Sequence, residues 1–261
     1  MYLSKQWRES RYITVLAVLG LLLLLLLVMK GHFMIGIAGD PSSVRSHHEN
    51  FSELFVPIFY LEAALVAFWG WLAAGIGIGK NLGEESGSFL FTRPRRRSWF
   101  LWNDWGFAMA QIAIIVILSN LMFGTLIRRI GMAQMQATGG IQFTPDSSPV
   151  SLVSLMILIS VGVLLFSGLV YSVTYFSTIV LKRAMGVVLG VGILIGYVVL
   201  SALLHHYYSI HLPSLIPGLF DFENHRLTGL VGHLGISIIA RAAVMMAFPI
   251  AAQVILDRSE I

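Results

Sequence analysis

The sequence predicts an all-α, polytopic membrane protein: six transmembrane helices in one domain over residues 1–261, both termini cytoplasmic, and a short outer helix before the last span. Three observations carry this reading. Of 261 residues, 57% are hydrophobic and 11% charged, against roughly 25% charged in a soluble domain. Mean hydropathy is +0.82. The apolar residues also fall in runs near the roughly 20 residues that a helix needs to cross a hydrocarbon core about 30 Å thick. Seventeen Lys+Arg and 13 Asp+Glu are too few to cover a soluble domain of this length.

The first span is expected at 12–29. Lys5, Arg8 and Arg11 precede it and seven consecutive leucines lie inside it, a pattern shared with signal peptides. A signal sequence, however, has an apolar stretch of about 7–15 residues and then a small-residue cleavage site. Here Tyr12 to Met29 runs uncharged into Lys30-Gly31-His32, so it reads as a retained helix. The second span, 54–79, is interrupted by Glu62, and the third is 105–127. The fourth, 150–181, holds no charge; the fifth is 184–204, and the sixth, 229–256, surrounds Arg241. In lipid every backbone polar group must be satisfied within the segment, so these runs must be helices. His211 to Phe220 is apolar and broken by Pro213 and Pro217, as suits a short helix lying in the outer leaflet.

Basic residues orient the chain. Lys5, Arg8, Arg11, Lys80, Arg93, Arg95, Arg96, Arg97, Lys182, Arg183 and Arg258 fall on one side of this layout. Lys30, Arg45, Arg128, Arg129 and Arg226 fall on the other. The richer side is cytoplasmic by the positive-inside rule. Trp7, Trp99, Trp102 and Trp105 cluster at that interface, where amphipathic rings prefer to sit.

Several function classes drop out. With no cysteine there is no disulfide framework, thiol nucleophile or Cys-ligated metal. The net charge of +4 suits basic cytoplasmic loops and does not indicate nucleic-acid binding. Gly75-Ile76-Gly77-Ile78-Gly79-Lys80-Asn81 evokes a phosphate loop, but that motif needs Gly at Ala74 and Ser or Thr at Asn81, after a strand. Small residues for close helix packing are the better account. No intramembrane-protease signature is present, no catalytic residue is assigned, and Ser160, Ser167 and Ser201 read as interhelical hydrogen-bonders. The histidines at 32, 47, 48, 205, 206, 211, 225 and 233 all fall on or near the outer side. They leave one alternative, a metal- or haem-binding membrane protein, because imidazole is a common ligand; no metal site or resident cofactor is assigned.

The loop 80–98 combines an acidic pair, Glu84-Glu85, then Gly87-Ser88, then Phe89-Leu90-Phe91, then Pro94-Arg95-Arg96-Arg97. It resembles the loop of ABC-2-type permeases, the membrane subunits of type V, ABCG-like ABC transporters. Those carry a Glu, a Gly-Thr pair, a leucine-rich run and a Pro-x-x-Arg after the second of six spans. The likeness covers the whole chain in topology and about fifteen residues in motif; Ser88 stands where Thr is usual, and Asp104 near where Lys is common. The resemblance implies a permease subunit of the bacterial cytoplasmic membrane, with export as the direction of transport. Separate ATPase subunits would bind the ATP, and a second permease copy or homologue would complete the transporter. It makes 80–98 a coupling helix, with Glu84 and Glu85 as acidic contacts beside Gly87 and Arg97 fixing the loop's end at the membrane.

Glu62 and Arg241 are the charges inside the expected spans. A rise of about 1.5 Å per residue puts both at similar depth in the outer half of the bilayer. An unpaired charge there costs at least about 2.5–3.5 kcal/mol on insertion scales, so an intramembrane pair between them is the expected solution. Such a pair either fixes helix packing or takes part in substrate contact or gating.

Overall fold

The computed structural model describes residues 11–12, 14–23, 26, 50–75, 97–137, 152–181, 185–208 and 227–258, and all of these except Gly75 are helical. There are six helices among them. We label them α1 (Thr14–Leu23), α2 (Asn50–Ala74), α3 (Arg97–Ala137), α4 (Leu152–Leu181), α5 (Met185–Tyr208) and α6 (Leu227–Arg258).

Four stretches are long and apolar enough to cross a membrane: Ser98–Met122, Ser160–Leu181, Met185–Tyr207 and Ile238–Arg258. Thr14–Leu23 and Glu62–Ala74 are shorter apolar stretches within the described residues. α2 closes earlier than the expected 79: the Gly75 N–H donates to Leu72 O at 3.1 Å in a tightened last turn. α3 starts eight residues before the expected span, so Arg97 and Ser98 belong to the helix rather than to the loop. At 41 residues and about 1.5 Å each, α3 is about 60 Å long, twice the thickness of a hydrocarbon core. The proposed outer helix around 211–220 lies outside the described residues.

α4 is the axis of the bundle. It packs against α2, α3, α5 and α6, and 78% of an 18-residue apolar window within Ser160–Leu181 is buried, against 6% of the corresponding window in α5. The core beside it is aromatic and branched: Trp69, Leu101, Ile112, Ile115, Tyr171, Tyr175 and Ile179 are all buried. Tyr171 and Tyr175 stack at 5.4 Å between centroids. The outer faces of α5 and α6 instead present Val188, Ile195, Val198, Ile239, Val244 and Ile250, as a lipid-facing surface requires.

Glycine sets the α4–α5 contact. A Cβ built on Gly186 would lie 2.3 Å from Thr178 Cα and 2.5 Å from Ser177 O. One built on Gly190 would lie 2.7 Å from Thr174 Cα. The two helices therefore touch backbone to backbone, the close approach that small residues four apart allow where no hydrophobic effect drives association. Gly192 and Gly196, at the same spacing further along α5, have nothing within 4 Å of an added Cβ.

Candidate functional site

Two polar constellations interrupt this apolar bundle. The first surrounds Glu62, which is fully buried on α2. α3 brings Ser119 and Asn120 against it. The Ser119 hydroxyl is in close contact with Glu62 Oε1, and Asn120 Nδ2 reaches the same oxygen at 3.3 Å. Ser119 Oγ also lies 3.1 Å from Val116 O, and Asn120 Nδ2 2.9 Å from it. Glu62 Oε2 and Asn120 Oδ1 are buried without a hydrogen-bond partner.

The structure does not bring Glu62 and Arg241 together. The hydrogen bonds of the carboxyl run to Ser119 and Asn120, and its second oxygen has none. Arg241 is half-buried on α6, in the neighbourhood of Tyr197 of α5. α6 packs on α3 and α4, and α2 packs on the same two helices, so the bundle axis separates the two charged residues. Helix rise fixes the height of a residue in a membrane but not the side of the bundle on which it faces, and the expected pair fails for that reason.

The second constellation lies where α2 ends and α3 begins, flanking the loop that carries Glu84, Glu85 and Gly87. Three indole N–H groups tie these ends to the rest of the bundle. Trp71 Nε1 donates to Val187 O at 3.1 Å, joining α2 to the first turn of α5. Trp102 Nε1 donates to Gln253 Oε1 at 2.9 Å, joining α3 to the end of α6. Trp105 Nε1 donates to Ser172 Oγ at 2.9 Å, joining α3 to α4. Trp102 and Trp105 also meet edge to face at 5.7 Å. A belt of tryptophans was legible in the sequence, but its role as a set of latches was not. The available signal was polar Ser172 and Gln253 in apolar runs, because a buried indole needs an acceptor.

Removing one latch tests its weight. Trp102→Phe and Gln253→Leu are each expected to lower stability by about 0.6–2 kcal/mol, the range of interhelical hydrogen bonds in membranes. Because they delete the same bond, the double variant should lose clearly less than the sum of the single losses. Unfolding of the purified protein in mixed micelles measures this, and strict additivity would show that the contact carries no energy.

The remaining expected residues are placed as follows. Glu84, Glu85 and Gly87 lie outside the described residues, and Arg97 is the first residue of α3. Ser167 Oγ is buried without a hydrogen-bond partner and so is not the interhelical hydrogen-bonder expected; Ser172 takes that role. His205 and His206 are exposed at the end of α5, with the His206 ring edge-on to Tyr207. Among the described residues no three His, Asp or Glu side chains gather as a metal site would require. Comparison with protein-family models, with curated proteins and with solved structures returns no match, so the chain's function rests on its own residues and their arrangement.

Proposed function

We propose that the chain is the membrane-spanning permease subunit of an ATP-binding-cassette exporter, with six spans and both termini in the cytoplasm of a bacterial cell. Separate ATPase subunits drive it through the 80–98 loop, and a second copy or homologue completes the translocation unit. The observation that supports this reading most is the trio of indole latches at the flanks of the loop. An ATPase acting on the loop displaces the end of α2 and the start of α3. Interhelical hydrogen bonds are directional and so hold the register of helices whose facing surfaces are otherwise apolar. The latches therefore pass a displacement of the loop to α4, α5 and α6 together. ATP binding in the partner then supplies the free-energy difference between inward- and outward-facing arrangements.

The coupling residues give the test. Reversing both acids, Glu84→Lys with Glu85→Lys, adds two ammonium groups to a segment that already carries Arg93, Arg95, Arg96 and Arg97 and repels any basic groove that receives the loop. The full-length chain, co-expressed with its ATPase subunit and reconstituted in nanodiscs, should lose at least tenfold of its ATPase binding or of its transport-coupled hydrolysis. Its thermal stability should not change. Normal complex formation together with normal coupled hydrolysis would remove these residues from the mechanism.

A further inference from the structure

The surroundings of Glu62 do not suit an ionised carboxylate. Oε1 meets Ser119 Oγ and Asn120 Nδ2 of α3, and Ser119 Oγ can either donate to it or accept from it, so these contacts fit both protonation states. Oε2 does not: it is buried without a hydrogen-bond partner, on a residue that is fully buried, and an ionised oxygen there would be bare.

We propose that Glu62 is a proton-binding site, occupied in this arrangement. The proton sits on Oε1 and is donated to Ser119 Oγ; Ser119 turns its own hydrogen to Val116 O, which also accepts the helical N–H of Asn120, and Asn120 Nδ2 donates to Oε1. Oε2 becomes a carbonyl oxygen, for which a missing partner costs far less than it does for an ionised oxygen. The inference is independent of the transporter reading.

The surroundings agree. The facing groups on α3, Ser119 and Asn120, are neutral. On α4 the nearest titratable group facing α2 is Tyr171, beside Gly70, eight residues or about 12 Å along the helix from Glu62. α5 meets α2 at Val187, opposite Trp71. α1 approaches through Leu16, Ala17, Gly20 and Leu21, which share an apolar cleft of about 190 Å³ with Leu65, Val66 and Trp69. None of these contacts carries a positive charge, and a fully buried carboxyl without a counter-charge takes up a proton instead. Loss of the proton would leave a bare charge between α2 and α3 and turn Ser119 away from Val116, so proton binding and the packing of these two helices are coupled.

Infrared difference spectroscopy of the full-length protein in nanodiscs at neutral pH, in H2O and D2O, reads the site directly. Wild type minus Glu62→Gln should show one protonated-carboxyl C=O band, on the high-frequency side because Oε2 lacks a partner, with the small downshift in D2O of an exchangeable O–H. Ser119→Ala, which keeps Glu62 in place, should move that band. Loss of an ionised-carboxylate band in Glu62→Gln would overturn the proposal, and if that band also moved when sodium replaced potassium, the site would belong to a monovalent cation. A carboxyl band that Ser119→Ala leaves unshifted would equally overturn the placement of the proton on Oε1 against Ser119.

Discussion

Alanine at Gly186 or Gly190 is expected to open the α4–α5 interface. The added Cβ at Gly186 would stand 2.3 Å from a backbone Cα, and no rotamer change relieves a clash with backbone. The helices must separate along a contact that runs through Thr174, Ser177 and Thr178, all fully or almost fully buried. Overpacking of a formed interface costs about 1–3 kcal/mol, from which the higher helix propensity of alanine returns at most about 1 kcal/mol. Leucine at either position should prevent the docking of α5 outright, seen as loss of folded protein on size-exclusion chromatography. Gly192→Ala and Gly196→Ala are the internal controls, because an added Cβ there meets nothing, and both should retain wild-type stability. Equal sensitivity at all four positions would show that the second pair also lies in a contact.

The second large effect is expected at Glu62. Glu62→Lys brings an ammonium with three donors and no acceptor into a fully buried site closed by the neutral side chains of Ser119 and Asn120. An uncompensated buried charge costs about 3–5 kcal/mol, enough to consume much of the stability of a domain. Glu62→Gln, which keeps an acceptor for Asn120 and replaces the carboxyl O–H by an N–H donor for Ser119, should be close to wild type in yield and melting temperature. The background of the Lys variant also decides about Arg241. If the two positions faced one another, Arg241→Met would relieve a like-charge repulsion and rescue Glu62→Lys. With α3 and α4 between them no rescue is expected, and the losses in melting temperature should add. Rescue would place the two side chains in contact.

The helices were legible because membrane crossing imposes a length and a composition that any stretch of sequence displays. The charge-free run at 150–181 became α4 over nearly the same residues. Its central place was not legible, since α5 is just as apolar yet almost wholly exposed; what differs is which neighbours each meets, and composition does not encode neighbours. Glu62 stood out as an acid in an apolar run, and its burial follows from that. Its partners were also in view as Ser119-Asn120, a polar pair closing an apolar stretch. The opposite charge of Arg241 was the more conspicuous candidate, and sequence arithmetic supplies depth without azimuth. The acidic pair of the loop could be recognised only by its order of residue types.

The polar cluster at Glu62 has a consequence for biogenesis. Its members come from α2 and α3, consecutive helices, with 57 positions between Glu62 and Ser119. At about 5–20 residues per second, Ser119 follows Glu62 out of the ribosome within about 3–11 s. The acid therefore needs no late helix for its hydrogen bonds: the α2–α3 hairpin can enter lipid with the carboxyl already supplied with partners. The axial helix α4 is made afterwards and threads a hairpin that is electrically silent. An acid paired instead with Arg241 would have waited for the last helix of the chain, exposed to lipid or to quality-control proteases through the synthesis of α4 and α5.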